Sequence, residues 1–326
     1  MSTRIERAPW CPQRVWEYAA GQVSKAPRQH RTSLRAFLDW LRESRGLVGG
    51  TVVLRLQSIR KFLEWLGEPP RAALRRLEAR DVERFFVEFR QEHGAASQRN
   101  LQTALRLFLR FGAERRWCSE ELADAVPALH VYRLSEVPRG LSDDQVALVL
   151  RSVPVDTEVG ARDLAILSLL ATYGVRRGQV AQLRLSDIDW RGRLVQFRGH
   201  KGGKAIRHAL TSTVAAAVGR YVDQFRPRVD EDHVFLRSRV PHLPLNPTAI
   251  SVSVSARLRR AGVGAPLLSP HAFRHAFATR LLRVGRPLKQ VADLLGHRHL
   301  DSAAIYGKVD LVALRRLATE WPAVLR

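Results

Sequence analysis

Cysteine and methionine are nearly absent from this chain of 326 residues, which has two cysteines and one methionine. Cys11 and Cys118 are too few for the disulfide framework of a small secreted domain or for a cysteine-based zinc site, and such scarcity is typical of a reducing cytoplasm. Long apolar runs are lacking too. The longest, at residues 164–175, is too short to cross a bilayer. We therefore expect a cytoplasmic protein with no membrane partner.

Acidic residues and lysines are also few. The chain has 31 Asp and Glu against 54 Lys and Arg, a formal net charge of +23, and both halves carry the excess. Positive charge spread in this way suits a partner with an extended anionic backbone, which indicates DNA or RNA. Lysine is rare among the basic residues, yet Lys201 and Lys204 lie together in one Gly-rich stretch. An ammonium group can release its proton when desolvated, whereas a guanidinium stays charged, so these lysines suggest proton transfer.

The spacing of apolar residues divides the chain into two parts. Residues 29–125 have apolar side chains at three- and four-residue spacing in four segments, which predicts a small helical domain. Residues 1–28 are expected to form an N-terminal extension, and the proline-containing stretch 126–140 a linker. Residues 141–326 predict helices together with a β-hairpin at 193–211, where two alternating runs flank a Gly-rich turn. The expected fold class is mainly α with a small β-hairpin or sheet (α+β).

Two helix starts are indicated by capping residues. Ser142, followed by Asp and Gln, is typical of a capped helix. Ser269 is expected to cap a later helix, and Pro270 suits its first position because a missing N–H costs nothing there.

The helix that follows Pro270 carries an unusual cluster of side chains. His271, Arg274 and His275 occur at i, i+3 and i+4, which places two imidazoles and a guanidinium on one face. The start of a helix is electropositive, so this cluster suits an anion. A solvated surface is the alternative, because a second His-x-x-Arg pair occurs at His130–Arg133 with no helical pattern around it.

Three further segments of the second part carry related chemistry. The segment TYGVRRGQV places Arg176 and Arg177 just before a predicted helix. The segment GHKGGK, residues 199–204, puts two lysines at the tip of the predicted hairpin. The segment LLGHRHLDSAAIYGKVD places His297 in a turn after a helix and carries Tyr306 on the next helix.

Taken together, these elements occur in the order and spacing of the tyrosine recombinases, and over about residues 140–310 the chain resembles that family. The family includes phage integrases, Xer-type recombinases and Cre. The resemblance implies that the helical part is a core-binding domain and that residues 141–326 are the catalytic domain. It also implies that the two domains form a C-shaped clamp around duplex DNA.

The resemblance implies a site-specific recombinase that cleaves and rejoins duplex DNA through a 3′-phosphotyrosyl intermediate. Its purpose would be the integration, excision or resolution of DNA elements. The catalytic residues implied are Arg176, Lys201, His271, Arg274, His297 and Tyr306.

Each of these residue types suits one requirement of phosphodiester cleavage. Two arginines can stabilise the negative charge of the pentacovalent transition state. Tyr306 can attack phosphorus once His271 has taken its proton, while His297 adds a hydrogen-bond donor or acceptor. By resemblance, Lys201 would protonate the departing 5′ oxygen. We expect no metal ion and no other cofactor, because the sequence offers no carboxylate cluster to hold a metal.

Two positions depart from the family pattern. Gln179 stands where the family commonly has glutamate, and an amide can form hydrogen bonds but carries no charge, so a supporting role is expected. The hairpin is one residue longer than in some members, which leaves His200, Lys201 and Lys204 as alternatives for its reactive tip. Lys201 is favoured because the glycines at 202–203 would let it move.

The sequence leaves other readings open. A type IB topoisomerase-like enzyme, a hairpin-forming resolvase and a non-catalytic DNA-binding relative are the alternatives. The expected partners are double-stranded DNA and accessory DNA-bending or related recombinase proteins. The chain is expected to form a homotetramer on synapsed DNA and to be a monomer or weak dimer when free. The expected location is the cytoplasm, associated with the nucleoid. The C-terminal tail, residues 311–326, has an apolar stripe that would pack on its own domain or on a neighbouring protomer.

Overall fold

Two units make up the chain, Met1–Tyr132 and Arg133–Arg326. The computed structural model describes residues 12–45, 49–67, 70–129, 140–199, 205–264 and 266–296. Most of the expected linker and the whole tail at 311–326 lie outside the described residues, so the expected domain boundaries stay predictions.

The first unit is helical throughout its described part. Its helices are α1 (Pro12–Ser24), α2 (Arg28–Arg45), α3 (Gly49–Leu66), α4 (Pro70–Arg76), α5 (Ala79–Glu92) and α6 (Ala95–Glu114), followed by a 3₁₀ turn at Glu120–Ala123. The apolar spacing predicted four of them, namely α2, α3, α5 and α6. Helix α4 is too short for a periodic pattern to show, and α1 lies in the stretch expected to be an extension.

Aromatic side chains fill the centre of this unit. Phe37, Phe62, Phe108 and Phe111 are each fully buried. The rings of Phe37 and Phe108 meet edge to face, with centroids 5.2 Å apart. Burying each such side chain contributes about 1.5–3 kcal/mol relative to leaving it exposed. Ala19 of α1 is buried in the same core, so this helix is part of the packed unit.

The second unit is mixed, in agreement with the expected α+β class. Its helices in the described part are α7 (Asp143–Arg151), α8 (Glu158–Tyr173), α9 (Arg177–Ala181), α10 (Ser212–Arg220), α11 (Pro247–Arg260), α12 (Pro270–Arg283) and α13 (Leu288–Leu294). Its strands are β1 (Ile188–Asp189), β2 (Leu194–Phe197) and β3 (Ile206–Ala209), with a 3₁₀ turn at Leu185–Asp187 and a π-helical turn at Tyr221–Phe225.

The three strands form one antiparallel sheet in the order β1-β2-β3. Phe197 pairs with Ile206 at the end of β2 and β3 that faces the hairpin tip. Val195 and Phe197 are buried on one side of the sheet, as the alternating pattern requires. The strands of the hairpin predicted at 193–211 are thus confirmed, while its tip at 200–204 lies outside the described residues.

Helix α8 is buried along most of its length and organises this unit. Asp163 on α8 is buried and accepts hydrogen bonds from Arg162 at 3.0 Å and from Arg257 of α11 at 2.9 Å. A buried carboxylate is destabilising unless it is paired, so these contacts link α11 to α8. The helix ends at Gly174, whose φ of 60° lies in the left-handed region.

The start of α7 follows the sequence expectation. The Oγ of Ser142 accepts a hydrogen bond from the Gln145 N–H at 3.1 Å, and the Oε1 of Gln145 accepts one from the Ser142 N–H at 2.9 Å. This reciprocal pair satisfies two N–H groups that the helix itself cannot. Among the helices in the described ranges, none is both long and apolar enough to cross a membrane.

Candidate active site

Helix α12 presents the His-x-x-Arg cluster. Pro270 occupies its first position, as expected, but the side chain of Ser269 makes no capping hydrogen bond, so that prediction is wrong. The main chain supplies the contact instead, because the Ala272 N–H donates to the Ser269 carbonyl at 3.1 Å. His271 keeps an exposed surface, whereas Arg274 is buried with 4% of its area exposed.

Arg274 joins three segments of the second unit. Its Nη1 donates to the Gly174 carbonyl at 2.8 Å, and its Nη2 donates to the Leu295 carbonyl at 2.8 Å. Gly174 ends α8, and Leu295 ends α13. The guanidinium is therefore fixed by the carboxyl ends of two helices while it projects from a third.

Close packing supports this arrangement. A Cβ on Gly174 would lie 2.6 Å from Phe277 and 3.0 Å from Leu295, so only glycine fits there. Gly296, with φ 63°, lies so near Ile206 of β3 that a Cβ would overlap its side chain. The end of α13 thus packs against the strand that leaves the hairpin tip.

Arg176 lies two residues beyond Gly174, at the N-terminus of α9. Its backbone N–H donates to the Oε1 of Gln179 at 3.0 Å. The Nε2 of Gln179 donates in turn to the Arg198 carbonyl at the end of β2, at 3.1 Å. Gln179 is 3% exposed, so these hydrogen bonds are shielded from water.

The cations around His271 act on its protonation. Burial of the ring away from water is the largest cause that lowers the pKa of His271. The positive charges of Arg274, Arg177 and Arg176 lower this pKa further. The imidazole is therefore neutral at neutral pH and able to accept a proton. The hydrogen bond from Arg274 to the Gly174 carbonyl, two residues before Arg176, brings the start of α9 close to α12.

His275 adds a second imidazole beside the first. The centroids of its ring and that of His271 are 6.2 Å apart. Burial lowers the pKa of His275 to about 4, with smaller contributions from His271 and Arg274. This histidine is therefore also neutral near pH 7, and Arg274 is the charged member of the cluster on α12.

Arg177 was given no role by the sequence, and Gln179 was given a supporting role without any contacts. Arg177 donates from Nη1 to the Oγ of Ser251 on α11 at 2.6 Å, which connects α11 to the start of α9. Its position next to Arg176 was visible in the sequence, but its partner was not. The buried position of Gln179 was also invisible, although its type marked it as a departure from the family.

The structure brings Arg176, His271 and Arg274 together. Lys201, His297 and Tyr306, like the alternatives His200 and Lys204, lie outside the described residues. Their roles stay predictions. In the part of the chain that is described, no group of three or more His, Cys, Asp or Glu side chains is placed to hold a metal ion.

Comparison with known proteins decides the family. The model of the phage integrase family matches residues 141–311. The chain belongs to the phage integrase family. The recombinase is 34% identical over 302 residues to a Sinorhizobium fredii protein named as an integrase/recombinase, covering 92% of this chain and 73% of that one. It is 30% identical over 299 residues to the tyrosine recombinase XerD of Mycobacterium tuberculosis, covering 87% and 95%.

Solved structures agree on the fold. The recombinase superposes on the XerH site-specific recombinase bound to its difH substrate with a TM-score of 0.64, at 16% identity and 94% and 95% coverage. It superposes equally well on a lambda integrase dimer bound to a COC′ core site, with a TM-score of 0.64, 16% identity and coverage of 89% and 98%.

The resemblance inferred from the sequence is thereby confirmed. The protein is a tyrosine recombinase, an enzyme that breaks and rejoins DNA strands.

Proposed function

We propose that this recombinase cleaves duplex DNA with Tyr306 as the nucleophile, on a phosphate held by Arg176 and Arg274. The observation that carries the proposal is the position of Arg274, which binds the Gly174 carbonyl just before Arg176 and the Leu295 carbonyl just before the segment of His297. Three of the motif-bearing segments thus meet at one buried guanidinium.

Charge stabilisation is the first task of such a site. A phosphodiester is already anionic and gains further negative charge as an oxygen nucleophile adds to phosphorus. A guanidinium that is fixed before the substrate arrives stabilises this charge without reorganising during the reaction. Removing one such preorganised donor typically lowers a rate about 10²–10³-fold. Arg274 is held in this way by two carbonyls, and Arg176 lies at the start of a helix.

Proton transfer is the second task. As the phenol oxygen of Tyr306 bonds to phosphorus, its proton passes to His271, whose lowered pKa keeps the ring neutral and able to accept it. The bond from phosphorus to the 5′ oxygen breaks, and Lys201 gives that oxygen a proton. The products are a 3′-phosphotyrosyl link and a 5′-hydroxyl, with His297 as a further hydrogen-bonding group.

The second half of the reaction reverses the first. The 5′-hydroxyl of another strand attacks the phosphotyrosine, regenerates Tyr306 and forms the recombinant bond. Because the phosphotyrosine link conserves the energy of the original phosphodiester, exchange needs no nucleotide cofactor and no metal ion. We propose integration, excision or resolution of DNA elements as its outcome.

The partners follow from charge and from the relatives. A net charge of +23 suits a duplex DNA substrate. The XerH and lambda integrase structures, which share this fold, contain bound DNA sites. We propose a homotetramer on two synapsed duplexes, formed by head-to-tail docking of each tail onto the next protomer. The free protein would be a monomer or weak dimer, assisted on DNA by accessory DNA-bending or related recombinase proteins, in the cytoplasm with the nucleoid.

The test uses a duplex taken from the DNA that flanks the gene, with a nick next to the cleavage position. After cleavage the short fragment diffuses away, so a covalent complex accumulates and resists SDS. The wild-type protein should form this complex. Tyr306→Phe should bind the same DNA but form none, because only the nucleophilic oxygen is removed. Tyr18→Phe is the matched control, since Tyr18 is 56% exposed on α1 of the other unit.

An SDS-resistant complex with Tyr306→Phe would reject Tyr306 as the nucleophile. Peptide mapping of the attached DNA would then identify the residue that acts, among Tyr132, Tyr173 and Tyr221. A wild-type protein that binds the nicked site tightly but never becomes attached would reject the cleavage reaction proposed for this site.

A further inference from the structure

Gln179 connects two parts of the site that the chain keeps apart. It lies on α9 and is 3% exposed. Its Oε1 accepts the backbone N–H of Arg176 at 3.0 Å, and its Nε2 donates to the backbone carbonyl of Arg198 at 3.1 Å. One buried side chain therefore bridges the N-terminus of α9 and the end of β2, which leads to the hairpin tip.

The end of β2 is held from a second direction as well. The Nε of Arg198 lies 3.5 Å from the Oδ2 of Asp187, and that oxygen also accepts the Arg184 N–H at 2.9 Å. The side chain of Arg198 is thus tied to the 3₁₀ turn before β1, while its carbonyl is tied to Gln179. The strand that enters the hairpin tip is fixed on both sides, three residues before Lys201.

The two hydrogen bonds of Gln179 require an acceptor at one atom of its side chain and a donor at the other. An amide provides one acceptor and one donor group, which matches the Arg176 N–H and the Arg198 carbonyl. An ionised carboxylate has acceptors only, so glutamate would place a charged oxygen against the Arg198 carbonyl. In a buried site, this loss is not compensated by water. The local structure is therefore built for the neutral amide.

We propose that Gln179 is a positioning residue that fixes the base of the hairpin relative to Arg176, and that this chain requires an amide at this position. Glutamate, the more common residue in the family, should impair the enzyme here. The inference rests on the proposed function, in which the hairpin lysine Lys201 protonates the departing 5′ oxygen. A small displacement of a group that transfers a proton can lower a rate by about 10²-fold.

The experiment compares two substrates. Ordinary DNA needs a proton on the departing 5′ oxygen, whereas DNA with sulfur at the 5′-bridging position needs none. Gln179→Glu and Gln179→Met should each cleave ordinary DNA about 10–100-fold more slowly than wild type. Both should recover most of the rate on the sulfur substrate, with binding of the DNA site nearly unchanged. Gln179→Met removes both hydrogen bonds without adding charge, so it tests the inference if Gln179→Glu folds poorly.

The matched control is Gln182→Glu. Gln182 ends the same short helix and is partly exposed. Its replacement by glutamate adds the same negative charge but leaves both hydrogen bonds of Gln179 intact. It should cleave both substrates at the wild-type rate. Far-UV circular dichroism and urea unfolding of each variant separate a folding defect from a defect in the site.

Unchanged cleavage of ordinary DNA by both Gln179 variants would overturn the inference, and so would slow cleavage that the sulfur substrate does not rescue. Lys201→Ala, measured alongside, reports on the proposed function. If the sulfur substrate rescues Lys201→Ala but not Gln179→Met, the positioning role of Gln179 is rejected and Lys201 remains the general acid. Rescue of Gln179→Met without rescue of Lys201→Ala would keep the positioning role and assign the acid to another hairpin residue.

Discussion

Replacing Gly174 by alanine should destabilise the catalytic unit and misplace Arg274 at the same time. Gly174 has a φ of 60°, a left-handed conformation that costs an L-residue about 1–2 kcal/mol. A Cβ there would lie 2.6 Å from Phe277 and 3.0 Å from Leu295, both in a packed region. Forcing extra volume into such a place typically costs about 1–3 kcal/mol. The expected loss in unfolding free energy is therefore about 2–5 kcal/mol.

Gly285→Ala separates the two contributions. Gly285 belongs to the same unit and has a similar φ of 77°, but a Cβ there meets nothing within 4 Å. This control should lose only the conformational part, about 1–2 kcal/mol. Alanine also reduces the freedom of the unfolded chain, which offsets about 0.4–1 kcal/mol of each of these losses and does so equally in both variants. The difference between them isolates the crowding around Arg274.

The assay needs to report on the catalytic unit alone, because two units need not unfold together. Hydrogen exchange of peptides from α8, followed by mass spectrometry over a urea series, meets this need. Cleavage of the nicked DNA is measured on the same samples under conditions where both variants are folded. Gly174→Ala should be slower than Gly285→Ala, because the Gly174 carbonyl that holds Arg274 is displaced. Equal destabilisation and equal cleavage in the two variants would refute the reasoning.

Three further predictions address the residues around this centre. Lys201→Ala should slow cleavage of ordinary DNA by about 10²–10⁴-fold, and a 5′-bridging sulfur should restore the rate. If the sulfur substrate rescues Lys204→Ala and not Lys201→Ala, the general acid is Lys204. Formation of the covalent complex should stay level near neutral pH and fall only below the ordinary imidazole pKa of 6.5, because burial and three arginines lower the pKa of His271; a midpoint above 6.5 in the pH–rate profile would contradict a neutral base. Deleting residues 311–326 should leave binding of a single site intact but abolish synapsis and strand exchange; normal recombination by the truncated protein would reject docking of the tail between protomers.

Local patterns were enough to predict most helices and the hairpin. The apolar spacing of α2, α3, α5 and α6 and the alternation in β2 and β3 each reflect which side of an element is buried, and that information is present in every short stretch. The pattern fails where an element is short or weakly apolar. Helix α4 has seven residues, and α1 has few buried side chains at the positions 16–24 whose burial the structure describes, Ala19 among them.

The types of the site residues were also predictable, but their contacts were not. His271 and Arg274 could be placed on one face because helical spacing dictates it. The partners of Arg274 are backbone carbonyls at positions 174 and 295. A carbonyl is the same in every residue, so no side-chain motif marks it. Ser269 shows the converse error, because a residue type that often caps a helix here leaves that task to its main chain.

The carbonyl partners of Arg274 have a consequence for its charge. Gly174 and Leu295 stand at the C-terminal ends of α8 and α13, where carbonyls lack intrahelical donors and carry the negative end of the helix dipole. These carbonyls attract a buried cation and offset part of its desolvation. Unlike a carboxylate, a carbonyl has no net charge, so these two bonds orient the guanidinium without cancelling its charge. Two helix ends therefore hold Arg274 in place, and the proposed function assigns its positive charge to the phosphate.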